Sequence, residues 1–188
     1  MITEGWAPPT LRTRRLVIRP FRVEDLEAVH AYTRAYPATQ YGGWMGGTTS
    51  TDVARYIADT IARYGRPPRA DLGVTLNGQL IGGVSWRQVW IAPPQMEVGW
   101  VLHPDVSGRG VATEAVSALL DHLFESFPGM GRVEARVRAS DRAGTRLLEG
   151  LGFVPEGKLR AGSAPGAEDG ALYGLLREER LEHAVANG

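Results

Sequence analysis

The 188-residue chain contains no cysteine. Disulfides, thiolate zinc sites, iron–sulfur clusters and a cysteine nucleophile are therefore excluded. Lysine is almost absent too: twenty of the 21 basic residues are arginine, and only Lys158 is a lysine. A P-loop or Schiff-base lysine has one place to sit, and no glycine-rich loop precedes it. An excess of charge is also missing. Lys+Arg and Asp+Glu both number 21, so there is no global field to hold nucleic acid or an anionic membrane, and neither is expected as a partner. The four histidines, His30, His103, His122 and His183, include no pair at helical ligand spacing, and no metal is expected. No stretch approaches the roughly 20 apolar residues of a membrane span. Met1–Trp6 lacks the basic-then-apolar order of a signal peptide. A soluble, cytoplasmic protein is expected. Arginine in place of lysine, with abundant alanine and glycine, reads as a GC-rich bacterial genome.

What is present suits one compact α/β domain: 43% hydrophobic and 22% charged residues. Residues 1–10 read as a loose lead-in. Arg15–Arg19 alternates like a strand closed by Pro20, and Val23–Arg34 carries Leu26, Val29 and Tyr32 about one turn apart. Residues 35–47 form an aromatic, glycine-rich loop. Thr49, Ser50 or Thr51 can cap the next helix, whose stripe is Val53, Ile57 and Ile61 and which Gly65 ends. Asn77-Gly78 between two apolar runs predicts a hairpin, because both central residues of a type I′ turn need positive φ. Met96–Leu102 reads as a strand with Gly99 inside it, a mark of a bulge or a close approach. A helix with Ala112, Val116, Leu119, Leu123 and Phe127 on one face follows. Arg132–Val137 is then a strand, Arg142–Leu151 a helix, and Phe153–Leu159 and Ala171–Leu176 strands; residues 161–170 read as a loop. Hairpins first and β-α-β later predict a mixed sheet.

Ser107-Gly108-Arg109-Gly110-Val111-Ala112 follows a strand and opens a helix. A glycine-rich turn can aim successive N–H groups into one concavity, and the helix N-terminus adds partial positive charge. Glycines at 108 and 110 permit the backbone and let an anion approach it, and Arg109 adds charge at the rim. A plain glycine-containing turn before a helix has the same letters. A Walker-type site is excluded by the lack of G-x-x-x-x-G-K-[ST]. A dinucleotide fingerprint fails because Thr113 stands where the third glycine belongs.

A diphosphate cradle beside a glycine-bearing strand is where a resemblance enters. Leu11–Pro20, Met96–Pro104, Ser107–Thr113 running into Glu114-Ala115, Leu147–Phe153 with Glu156-Gly157, and Asp169 with Tyr173–Glu179 occur in this order. Together they resemble the GNAT N-acetyltransferases, most of all the RimJ/RimL-type branch, over Thr13–Glu179. The resemblance implies the GNAT acyl-CoA N-acyltransferase fold, an α/β (α+β) fold. Its mixed, mostly antiparallel twisted sheet would have about seven strands with four helices, splayed between the fourth and fifth strands. Residues 11–180 would be a single domain and 181–188 a C-terminal tail.

It further implies acetyl-CoA as co-substrate. The family pattern at the loop, Gln/Arg-x-x-Gly-x-Gly/Ala, is met by Gly110 and Ala112, while Ser107 departs from the usual Gln or Arg. Cofactor contacts would come from Trp100, Val101 and Leu102, from Ser107, Gly108, Arg109, Gly110, Val111, Ala112 and Thr113, and from Asp141 and Arg146. A main-chain N–H beside Gly99, that of Trp100, would polarise the thioester carbonyl. Glu97 would be the base, with an ion-pair partner as its other reading. Relatives often carry a tyrosine acid where Leu148 stands, and an Asn and a Ser where Asp141 and Gly144 stand. Asp141 has a helix cap as its plainer reading. Tyr41, Trp44, Trp86 and Tyr173 are substrate candidates, with core packing as the alternative. The expected partner is an amine acceptor, a peptide N-terminus or a small molecule, and a homodimer is compatible. A non-catalytic acyl-CoA-binding domain is the competing function. With no cysteine, acetyl transfer is expected to run directly from CoA to amine.

Overall fold

A computed structural model describes residues 6–35, 49–66, 68–161 and 168–187, the last five of these without their side chains. Its strands are β1 (Leu11–Arg12), β2 (Leu16–Pro20), β3 (Arg69–Leu76), β4 (Gln79–Ile91), β5 (Pro94–Leu102), β6 (Arg132–Arg138), β7 (Val154–Leu159) and β8 (Gly170–Leu176). Its α-helices are α1 (Leu26–Arg34), α2 (Ser50–Arg63), α3 (Val111–Ser126), α4 (Arg142–Gly150) and α5 (Arg177–Asn187). The strands form one sheet in the order β1-β2-β3-β4-β5-β6-β8-β7. The mixed, mostly antiparallel sheet is as expected. Among the described residues it has eight strands rather than about seven, because β1 pairs antiparallel with β2 (Leu11↔Ile18, Arg12↔Val17). Residues 181–187, expected as a tail, belong to the fifth helix.

The chain divides into two compact units, Met1–Trp86 with Trp100–Leu119 and Arg87–Gly99 with Leu120–Gly188. In the first, Phe21, Val29, Tyr32, Val53, Ile57 and Val101 form one buried cluster. The α2 stripe of Val53 and Ile57 is buried as its spacing requires. Thr49 caps α2 reciprocally with Asp52, each accepting from the other's main-chain N–H. Asn77 (φ 51°) and Gly78 (φ 80°) turn the β3–β4 hairpin. Gly82 is fixed by crowding: a Cβ there would collide with the Val101 carbonyl and lie 2.6 Å from Leu102 Cα.

In the second unit β5 and β6 run parallel, joined through α3, from Gln95↔Arg132 to Val98↔Ala135. β1 raises the strand count by one, so β5 and β6 are the expected fourth and fifth strands. Their ladder ends at Val98, while β5 continues to Leu102. Val133 and Ala135 are fully buried. Arg132, Glu134 and Arg136 alternate with them and so share the other face of the strand. The edge strand β7 carries Pro155, Gly157 and a bulge between them, features that blunt an exposed edge.

Candidate active site

The turn Ser107–Gly110 joins the 3₁₀ turn Pro104–Val106 to α3. Gly108 (φ 72°) and Gly110 (φ 70°) both lie in the left-handed region, the conformation that their sequence position demands. His103 caps the preceding turn, its Nδ1 accepting from Asp105 N–H at 3.2 Å. The N–H of Ser107 is spent on the Pro104 carbonyl (2.9 Å), and that of Glu114 on Gly110 (3.0 Å). Between them, the N–H groups of Gly108 to Thr113 make no hydrogen bond to any described residue. Four of these, from Gly110 to Thr113, are the orphan donors of a helix start. These amide donors lie at the positive end of a 16-residue helix, a setting that favours an anion. Ser107, Gly108, Arg109, Gly110 and Thr113 are exposed, and Val111 is buried.

Glu97 is on β5 in the second unit, three residues before Trp100. Arg87 on β4 donates Nε and Nη2 to its Oε1 (3.2 and 3.0 Å) and Nη2 to its Oε2 (2.9 Å). Arg136 Nε sits 3.2 Å from Oε2 on the other side. The pairs continue across β6 to Glu134, Arg132 and Glu156, a ladder of alternating charge. A carboxylate offers about four lone-pair sites, and two guanidiniums occupy most of those of Glu97. It is an ion-pair partner here, and accepting a proton requires one arginine to give way. Both side chains are about half exposed, Arg87 at 51% and Arg136 at 50%.

The remaining candidates separate. Asp141 caps α4, its Oδ1 accepting from Gly144 N–H at 2.8 Å. A Cβ on Gly144 would lie 2.6 Å from Asp141 Oδ2 and 3.0 Å from Val137 Cγ1, so no serine fits without displacing them. Leu148 is fully buried. Arg146 is exposed, as are Arg109 and Arg142, and none of the three pairs with a described residue. Two expectations about substrate contact are corrected by burial. Trp86 is 1% exposed and stands edge-to-face on Trp6 at 6.4 Å. Tyr173 is 5% exposed, opposite Ala135 in the β6–β8 ladder. Both are core residues. Tyr41 and Trp44 lie outside the described residues.

Residue-level reading missed the brace under the loop. Arg15 donates Nη1 to the Arg109 carbonyl (3.0 Å) and Nε to Glu114 Oε2 (2.6 Å), and Thr13 Oγ1 donates to Glu114 Oε1 (2.5 Å). Burial pushes the Glu114 carboxyl up, but the bonds from Thr13 and Arg15 outweigh it and hold the group below the ordinary range. The signal lay in the Thr13-Arg14-Arg15-Leu16 run, which carried the resemblance without a role.

Comparison with known proteins agrees with this geometry. The family described as acetyltransferase (GNAT) domain matches residues 15–154. An uncharacterised N-acetyltransferase of Bacillus licheniformis is 30% identical over 156 residues, 80% of this chain and 85% of that protein. A GNAT-family acetyltransferase structure from Bacillus anthracis superposes with a TM-score of 0.78 at 25% identity, covering 90% of this chain and 99% of that one. The structure of RimL, a ribosomal-protein α-N-acetyltransferase in complex with coenzyme A, shares the fold at a TM-score of 0.78 and 16% identity, over 89% and 98% of the two chains. Sequence, sheet order and loop converge: the chain belongs to the GNAT family of N-acetyltransferases.

Proposed function

We propose that the protein moves an acetyl group from acetyl-CoA directly to a primary amine in a ternary complex, with residues 11–180 as one catalytic domain. The observation that carries this is the Gly108–Thr113 set of unengaged N–H groups at the start of α3, held by two left-handed glycines. These donors fit the CoA diphosphate, with Arg109 at the rim. The end of the β5–β6 ladder at Val98 supports strand-like pairing of the pantetheine arm with the main chain of Trp100, Val101 and Leu102. The N–H of Trp100 then polarises the thioester carbonyl.

Three residues before it on the same strand, Glu97 orients the amine and takes its proton, directly or through water, as one of its two arginines swings out. The amine nitrogen attacks the carbonyl carbon, the C–S bond breaks, and the thiolate is protonated from solvent. No side-chain acid is assigned, since Leu148 is buried apolar and Gly144 has no side chain. Alignment of the two reactants supplies much of the acceleration. The acceptor is a peptide N-terminus, as the name of the RimL structure states for that protein, or a small-molecule amine. A panel of N-terminal peptides and small amines, read by release of free CoA, tests the reading. Turnover with at least one acceptor is expected; tight acetyl-CoA binding with no release across the panel favours a non-catalytic acyl-CoA-binding domain.

A further inference from the structure

The turn between β1 and β2 is tied to the start of α3 by a network with no part in the chemistry above. The turn is folded around Thr13: its N–H donates to the Leu16 carbonyl (3.0 Å), and its Oγ1 accepts from Leu16 N–H (2.9 Å) while donating to Glu114 Oε1 (2.5 Å). The main-chain N–H of Arg15 donates to the same carboxylate oxygen (3.0 Å), and Arg15 Nε to the other (2.6 Å). From that anchor Arg15 Nη1 reaches the Arg109 carbonyl (3.0 Å), and Nη2 lies 3.7 Å from where a Cβ on Gly110 would stand. Glu114 is held at its main chain as well, through the Gly110 carbonyl (3.0 Å).

Peptide planarity turns these bonds into a direction. In a trans peptide the carbonyl and the following N–H point opposite ways. Fixing the Arg109 carbonyl on Arg15 therefore directs the Gly110 N–H away from Arg15. The Gly110 carbonyl takes the ordinary first bond of α3, from the N–H of Glu114, whose side chain the β1–β2 turn holds. One donor of the loop, the Gly110 N–H, thus takes its orientation directly from the β1–β2 turn. An untethered glycine loop would sample many conformers, and its ordering would be charged against binding. Glu114 balances the Arg15 charge, so the guanidinium acts by orientation more than by attraction. We infer that Thr13, Arg15 and Glu114 are positioning residues for the diphosphate of acetyl-CoA, holding the Arg109–Gly110 peptide with its N–H turned to the anion while touching it nowhere themselves. The inference rests on the acetyl-CoA reading and adds to it a set of residues outside the loop.

The test compares acetyl-CoA with S-acetylpantetheine, which has the thioester and the arm but no diphosphate, using one acceptor amine. Arg15→Ala is expected to raise KM for acetyl-CoA about tenfold while leaving kcat, and all parameters with S-acetylpantetheine, at wild-type values. Arg15→Lys restores part of the loss, and the near-isosteric Glu114→Gln moves KM in the same direction by less. Asp25→Asn breaks the Arg19–Asp25 pair (2.8 Å) in the same unit; it lowers Tm and leaves both thioesters unaffected. An Arg15→Ala enzyme that loses equally on both thioesters, or that keeps the wild-type KM for acetyl-CoA, overturns the inference. A wild-type enzyme with no preference for acetyl-CoA over S-acetylpantetheine overturns the underlying reading instead.

Discussion

Asp71 is a carboxylate in an expensive place. It lies on β3 at 3% exposure, and its side chain faces Arg69 Nε at 3.5 Å, an arginine half in solvent. Burial pushes its carboxyl above the ordinary value of 3.8, and the charges of Arg69 and Arg63 offset that only in part. The folded state therefore binds the Asp71 proton more tightly than the unfolded chain does. The contribution of this group to stability is greatest at low pH and is lost as pH rises from the ordinary carboxylate range through the raised folded value. Asp71→Asn is expected to stabilise the fold at pH 7 by on the order of 1 kcal/mol, because the half-exposed pair with Arg69 is worth little. Urea denaturation at pH 7 and pH 4 checks this: the advantage of the variant should shrink at pH 4, and an equal gap at both pH values counts against the account. Glu97 poses the opposite question, since its partners are good and its proposed task requires loosening them. Glu97→Gln should lower kcat by about 100-fold or more with KM for acetyl-CoA nearly unchanged, measured by CoA release. A variant that loses only thermal stability would make Glu97 a strut of the charge ladder and nothing more. In the sequence Glu97 was legible as a candidate, because an acidic residue on that strand fits the family. Its two guanidinium partners were not, because ion pairs across β4, β5 and β6 depend on register, and strand residues read singly do not report it.

At the scale of elements, local chemistry made much of the fold readable. The Asn77-Gly78 turn, the Thr49 cap and the left-handed Gly65, Gly108 and Gly110 all follow from residues acting on their own backbone. Elements supported by partners were harder to see. β1 is two residues long and exists through pairing with β2. α5 begins Arg177-Glu178-Glu179-Arg180 with no apolar stripe in its first turn. It is held by Arg177 donating to the Phe124, Phe127 and Met130 carbonyls and by Arg180 on Asp121. Trp86 and Tyr173 were misplaced for a related reason, as an aromatic on a strand looks the same whichever face is covered. The Ser107–Gly110 turn lends itself to a test of local conformation alone. A Cβ on Gly108 would meet nothing within 4 Å, so Gly108→Ala changes backbone preference without a clash. A left-handed alanine costs about 1–2 kcal/mol. The exposed loop of the free protein can relax to avoid that cost and then meets it on binding. Acetyl-CoA affinity is expected to fall about tenfold by calorimetry, with Tm nearly unchanged. Unchanged affinity would mean that the bound loop does not need this conformation.

For the whole molecule, the absence of cysteine bears on the order of chemical events. A relay through an acetyl-enzyme needs a nucleophile that can accept acetyl from a thioester and release it to an amine, and a cysteine thiolate suits that exchange best. This chain has none. Its single lysine, Lys158, is on the edge strand β7 with Nζ 2.6 Å from Asp169 Oδ2. An amide formed there would in any case be too stable to pass acetyl onward. In the proposed reaction the Gly108–Thr113 donors and the main chain of β5 would act on the cofactor without covalent chemistry, and both substrates would be bound when the C–N bond forms. Initial rates measured against both substrates should therefore give intersecting double-reciprocal lines. Protein incubated with acetyl-CoA alone, denatured and weighed by mass spectrometry, should carry no acetyl group. Parallel lines together with a mass shift that an amine then removes would establish a covalent relay, and the direct-transfer mechanism would have to be abandoned.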